Sequence, residues 1–151
     1  MKNYDIIKKI IEDFFEKTTF NLALDIVLKE DETIFINIQA ENPQILIGEG
    51  GQTINEIQLL LRAILRRKIK DLFYLELDIN DYKKRKNEYL REMAFSIADE
   101  VALLKEEKEL EPMPAHERRI IHLALAERKD VVAKSVGDGL RRRIVIQVAS
   151  S

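Results

Sequence analysis

Apolar residues recur at three- and four-residue spacing near the start of the chain, at Ile6, Ile7, Ile10, Ile11, Phe14 and Phe15. That period predicts an amphipathic helix over residues 4–17. The period then drops to two. Leu22, Leu24, Ile26 and Leu28 alternate with more varied neighbours, and Ile34, Ile36 and Ile38 do so again after the polar turn Lys29-Glu30-Asp31-Glu32. Residues 22–39 therefore read as a β-hairpin. A second amphipathic helix is predicted from about 52 to 67, with Ile54, Ile57, Leu60, Leu61, Ile64 and Leu65 on one face. Phe73, Leu75, Leu77 and Ile79 then alternate as a third strand. Leu59 falls outside the apolar face, beside Arg62 and Arg66. It is either an incidental surface leucine or a contact with a second subunit or domain.

Residues 81–104 carry the longest helical pattern, with Leu90, Met93, Ala94, Ile97, Ala98, Val101 and Leu104 on one stripe. A boundary at Asn80-Asp81 divides the chain into residues 1–80 and 81–151. Lys105 to Glu109 reads as a charged loop. Glu111-Pro112-Met113-Pro114 must be extended, and Pro114 suits a helix start. The helix that follows contains Glu117 to Leu125. Val131 to Ser135 and Ile144 to Val148 read as strands, joined by the turn Val136-Gly137-Asp138-Gly139-Leu140.

Three of the five glycines lie within four positions, in Gly48-Glu49-Gly50-Gly51. Asn42 and Pro43 are good N-cap and first-turn residues, so one short helical turn can run to about Ile47 before Gly48 ends it. The next helix starts immediately, with free backbone N–H groups at a turn that has little side chain. A phosphate can approach such a turn. A P-loop is excluded because Thr53 and Ile54 stand where Gly and Lys are needed. A dinucleotide fingerprint is excluded because no strand leads into the turn. Gly-x-x-Gly between two helices survives, the form of the phosphate-clamping loop of KH domains.

In the second half, Arg118 and His122 are four apart on one helix, so their side chains meet. A guanidinium beside an imidazole is a poor structural pair. It becomes sensible with an anion between them. Arg141 to Arg143 sit where the last strand begins, able to face the same ligand. His122 and Glu117, five positions apart, do not converge as an acid–base pair, so no enzyme is expected.

Charge changes the picture only through its distribution. The net charge is −2, with 10 basic and 14 acidic side chains in residues 1–79 and 15 and 13 in residues 80–151. Lys68 and Lys70, and the run Lys83, Lys84, Arg85, Lys86, are candidate auxiliary contacts to nucleic acid. The chain has no cysteine and only His116 and His122, so neither a disulfide nor a metal site is expected. No run of 18 apolar residues occurs, and Met1-Lys2-Asn3-Tyr4-Asp5 does not open a signal peptide, so a cytoplasmic protein without a membrane span is expected.

The order helix–strand–strand–helix–loop–helix–strand, with Gly48 to Gly51, resembles a type II KH domain. Met113 to His122, with Ser135-Val136-Gly137 and Arg142-Arg143 downstream, resembles an R-three-H domain, named for its Arg-x-x-x-His. The tandem resembles the bacterial Jag family, also called KhpB or SpoIIIJ-associated. The resemblance implies an α+β chain, with the second domain's helices packed on a small three-stranded sheet. It implies binding of single-stranded RNA or DNA without catalysis or cofactor. Gly48, Glu49, Gly50 and Gly51 become the backbone clamp, with the amides of Gly50 and Gly51 on the phosphodiester. Arg118, His122, Arg142 and Arg143 become phosphate contacts. The family also implies a post-transcriptional, chaperone-like RNA regulator tied to the cell envelope. Pairing with a small KH protein or self-association, and a functional link to the membrane insertase, belong to the same implication. Three departures stand out. Glu49 occupies a loop position where a basic residue is usual, Ala133 and Leu140 replace Thr and Pro, and the separate N-terminal domain of the family is expected to be absent. Acidic Glu49 and the −4 balance of the first half keep one rival open, an interaction or dimerisation module whose KH half has lost RNA binding.

Overall fold

In the computed structural model, which describes residues 2–150, the alternating stretches become strands and the three-to-four periods become helices. The first half runs α1 (Tyr4–Glu16), β1 (Leu22–Leu28), β2 (Thr33–Ala40), α2 (Pro43–Ile47), α3 (Gln52–Lys68) and β3 (Tyr74–Ile79), with a 3-10 turn over Glu49–Gly51 between α2 and α3. The sheet order is β1-β2-β3. β1 lies antiparallel to β2, with Leu22 opposite Ala40 and Leu28 opposite Ile34. β3 lies parallel to β2, with Ile34 opposite Leu75 and Ile38 opposite Ile79. Parallel neighbours need a crossover, and α2 and α3 supply it. Ile34, Ile36, Ile38, Leu75, Leu77 and Ile79 are buried with Ile7, Ile11 and Phe15 of α1 and Ile54, Leu61 and Leu65 of α3.

Edge strands leave backbone groups unpaired, and helix side chains answer several of them here. The Tyr4 hydroxyl donates to Ile26 O on β1 at 2.8 Å. On β3, Leu77 N–H donates to Gln58 Oε1 at 2.9 Å, and Arg62 Nη2 donates to Leu75 O at 3.3 Å. Asn80, in the left-handed region at φ 48°, clips the chain just before α2. Its Oδ1 accepts from Ala40 N–H at 2.8 Å and its Nδ2 donates to Ala40 O at 3.1 Å.

The second half runs α4 (Tyr82–Leu104), β4 (Lys108–Glu109), α5 (Ala115–Leu125), β5 (Val131–Val136) and β6 (Arg143–Val148). The three strands form an antiparallel sheet in the order β4-β6-β5. Leu90, Ala94, Ala98 and Val101 of α4 are buried with Ile121 and Leu125 of α5 and with Val131, Ile144 and Ile146 of the sheet. The chain separates into two compact units between Lys84 and Arg85. The architecture is α+β, as expected.

Three local expectations are corrected. The stretch 105–109 is not all loop, because Lys108 pairs with Ile146 and Glu109 with Val145. Their charges suit an exposed edge, where Lys108 meets Glu100 and Glu109 meets Arg143. Leu60 is 51% exposed, because the buried stripe of α3 is Ile54-Leu61-Leu65 and Leu60 stands about 100° away from Leu61. Leu104 is 52% exposed, since it ends α4 just before Lys105 turns the chain at φ 61°.

Candidate nucleic-acid interface

Gly48 ends α2 at φ 74°, ψ 175°, its N–H donating to Gln44 O at 3.0 Å. A Cβ there would lie 2.2 Å from Thr53 Oγ1 and 2.9 Å from Thr53 N, so both the space and the backbone demand glycine. Gly50 and Gly51 continue at φ 60° and 81°, a region that disfavours residues with a Cβ. Gly51 is buried, and a Cβ on it would come within 2.9 Å of the Tyr82 ring. Its N–H returns to Gly48 O at 3.3 Å. Around Gly50 the space is open. Among the described residues, the N–H groups of Glu49 and Gly50 meet no backbone acceptor. Two unpaired donors on an exposed turn, just ahead of a 17-residue helix, form a nest that suits an anionic oxygen. The Glu49 side chain is exposed at the same turn, and no cation pairs with it among the described residues.

Sequence reasoning missed Tyr82 and Asn80, which brace this loop from behind. An aromatic at the first position of a helix gave no periodic signal, and Asn80 was read only as the boundary between the two halves. The auxiliary lysines divide. Lys83 is half-buried and its Nζ donates to Gln58 Oε1 at 2.8 Å. Burial pulls its pKa below the usual lysine value, with Asp78 and Glu76 opposing that pull. Lys84 is exposed beside it. Lys68 and Lys70 are exposed, but Lys68 closes α3 at the end opposite the loop, about 24 Å along the helix. The structure does not bring these two to the glycine turn.

In the second unit, Glu117 faces inward. Its carboxylate lies 2.7 Å from Lys86 Nζ on α4 and 3.9 Å from His116 Nε2. With Glu117 fixed on the core side, Arg118 and His122 come to the half-buried flank of α5, one turn apart. Arg118 Nη1 donates to Met113 O at 2.6 Å. Met113 N–H donates to Arg142 O at 3.2 Å, which ties the start of β6 to the arginine helix. Arg142 Nη1 donates to Gly137 O at 2.9 Å. Each of these guanidinium groups keeps further N–H donors, and neither has a carboxylate partner among the described residues.

Two other arginines of this unit are paired with carboxylates. Arg143 pairs through Nε with Glu109, and its Nη1 donates to Arg141 O at 3.1 Å. Arg128 holds Asp99 at 2.5 Å and Asp130 at 2.6 Å. The hydrogen bond from Arg128 lowers the Asp130 pKa to about 2. Met113 opens the segment that resembles an R-three-H domain, but its bridging part was not legible there. Its role lies in its backbone, which no side-chain pattern reports.

The fold is a tandem of two small α+β modules, each carrying one candidate anion site. The KH domain family model matches residues 7–87 and the R-three-H domain model matches residues 88–147. The RNA-binding protein KhpB of Clostridium symbiosum is 34% identical over 143 residues, covering 93% of this chain and 64% of that protein. KhpB of Bacillus subtilis is 33% identical over 125 residues, covering 81% and 60%. KhpB of Lactiplantibacillus plantarum is 32% identical over 113 residues, covering 75% and 35%. The chain therefore belongs to the Jag/KhpB family, whose members join a KH domain to an R-three-H domain. It spans less than two thirds of the length of these relatives. Among the described residues, no helix is long and apolar enough to cross a membrane.

Proposed function

We propose that the chain is a non-enzymatic binder of single-stranded RNA, and of single-stranded DNA in the same mode, built from a KH module (residues 1–80) and an R-three-H module (residues 81–151). The observation that carries this reading is the pair Arg118 and Arg142. They are joined through the Met113 backbone and left without a carboxylate partner among the described residues. Two un-neutralised guanidinium groups beside an imidazole attract a phosphate, which each meets with a charge-assisted bond. Arg118, His122 and Arg142 form this second phosphate site, and Arg143 contributes charge when Glu109 releases it. In the KH module, Gly48, Glu49, Gly50 and Gly51 form the first site, with the donors on Glu49 and Gly50. The KhpB relatives, RNA-binding proteins by name, support the ligand class.

Lys83 and Lys84, next in the chain to Tyr82, are the proposed auxiliary contacts of the first site, while Lys68 and Lys70 add only long-range attraction. The cytoplasm as compartment, post-transcriptional regulation linked to the cell envelope and the membrane insertase, and pairing with a small KH protein extend the proposal. They rest on the family alone. A second reading, a dimerisation module, is favoured by Leu59 and Leu60, 65% and 51% exposed side by side on α3.

Fluorescence anisotropy with a short single-stranded RNA at low and moderate salt tests the reading. Binding that weakens steeply with salt is expected. Arg118→Ala/Arg142→Ala and Gly50→Asp should each weaken it. No binding by the parent at low salt, together with a dimer mass abolished by Leu59→Glu, would replace it with the second reading.

A further inference from the structure

Leu140 is 99% exposed, at the tip of the β5–β6 hairpin. A single surface leucine is unremarkable by itself. This one stands on a tip held at several points. Gly137 takes φ 83° and Gly139 φ 55°. Arg141 N–H donates to Asp138 O at 3.1 Å, and Arg142 N–H donates to Gly139 O at 3.2 Å. The Arg142 guanidinium closes the turn on Gly137 O. A Cβ at Gly137 would meet Arg141 O at 2.8 Å, so the turn cannot be rebuilt around another residue without moving. The leucine is therefore presented from a braced 3-10 turn, two residues before Arg142 and directly before Arg141. A turn whose backbone is already held needs little ordering on binding, even though the exposed leucine side chain is free to rotate.

We propose that Leu140 is the base-contacting residue of the R-three-H module, an apolar wedge that lies against or between unstacked bases while Arg118 and Arg142 hold the adjacent backbone. The inference rests on the RNA-binding reading above and adds what that reading lacks. Phosphate contacts fix position, and any preference for base-bearing strands needs a group that touches the bases. Apolar side chains serve as wedges between base steps, and single strands offer unstacked faces. A neighbouring arginine set is the surface on which such a wedge meets nucleic acid rather than the interior of another protein.

The full chain is titrated with a short single-stranded RNA and with a strand of equal length and charge whose central positions are abasic. The parent should prefer the base-bearing strand. Leu140→Ala should reduce affinity for that strand about five-fold, the loss expected from part of a leucine's burial, and the preference should collapse. Its salt slope should match the parent's, because no phosphate contact is removed. Arg118→Ala/Arg142→Ala should weaken both strands and lower the slope.

The chain contains no tryptophan, so Leu140→Trp places a single reporter at the tip. Its emission should be quenched by the base-bearing strand and much less by the abasic one. An unchanged preference in Leu140→Ala, or a tryptophan that stays solvent-like in the saturated complex, overturns the wedge while leaving RNA binding intact. Failure of the parent to bind either strand overturns the RNA reading itself, and the wedge with it.

Discussion

In the proposed reading, the two units meet an anion by opposite means. The glycine turn of the first unit offers backbone N–H groups on a strained, side-chain-poor loop that also carries an acid, Glu49. The arginine flank of the second offers full charges on side chains anchored to carbonyl oxygens. The first site depends on backbone shape and is hard to alter without damaging the fold. The second depends on charge and can be removed one side chain at a time. That difference sets the sizes of the expected effects.

Gly48→Ala should be the most severe change. Its Cβ would collide with Thr53 at 2.2 Å in a positive-φ position, and a loss on the order of 3 kcal/mol is expected in denaturant melts. Gly50→Ala should cost only about 1 kcal/mol, since the space around it is open and only the φ of 60° resists a side chain. Equal losses for the two would break the idea that Thr53 shapes the loop. Lys86→Met comes next. Leaving the buried Glu117 carboxylate without its lysine should lower stability by roughly 2–3 kcal/mol. Chemical denaturation measures it.

Arg118→Ala/Arg142→Ala should lower stability by about 2 kcal/mol, because each arginine gives up one bond to a carbonyl. Affinity for single-stranded RNA should fall about ten-fold, and the slope of log K against log salt should shrink by about 0.7, one phosphate contact on a single strand. Arg128→Ala sharpens the contrast, because its charge is already neutralised by Asp99 and Asp130. RNA affinity should stay within about two-fold of the parent.

The smallest effect is one of pH. Arg128 holds the folded-state pKa of Asp130 at about 2, below the usual aspartate value of about 3.9. The stabilisation is therefore present above pH about 4 and is lost as pH falls towards 2. Carboxyl NMR titration should show Asp130 moving back towards about 3.9 in Arg128→Ala.

Periodicity was enough to read the architecture. Ile7 and Ile11, the alternating isoleucines of β2 and the Leu90–Ala94–Ala98–Val101 stripe are all buried where their spacing put them. Periodicity failed where an element is too short or an apolar residue lies off-axis. The two residues of β4 cannot show alternation and carry charges, while Leu60 counts as apolar on any wheel yet lies outside the buried stripe. The glycine turn was legible as a motif. Which of its donors are unpaired was not, because Gly51 N–H is taken up by Gly48 O in a way only coordinates show. Likewise Arg118, Arg142 and Arg143 look alike in sequence. Only the nearness of Glu109 to Arg143, created by β4 pairing with β6, separates them.

The most direct test of the central claim, one backbone site and one arginine site, is a heteronuclear NMR titration of the full chain with a short single-stranded RNA. The backbone amides of Glu49 and Gly50 should shift more than that of Gly51, and the side-chain Nε–H signals of Arg118 and Arg142 should shift more than that of Arg143. Loop amides that stay put at saturation, or arginine signals indifferent to RNA, would contradict it.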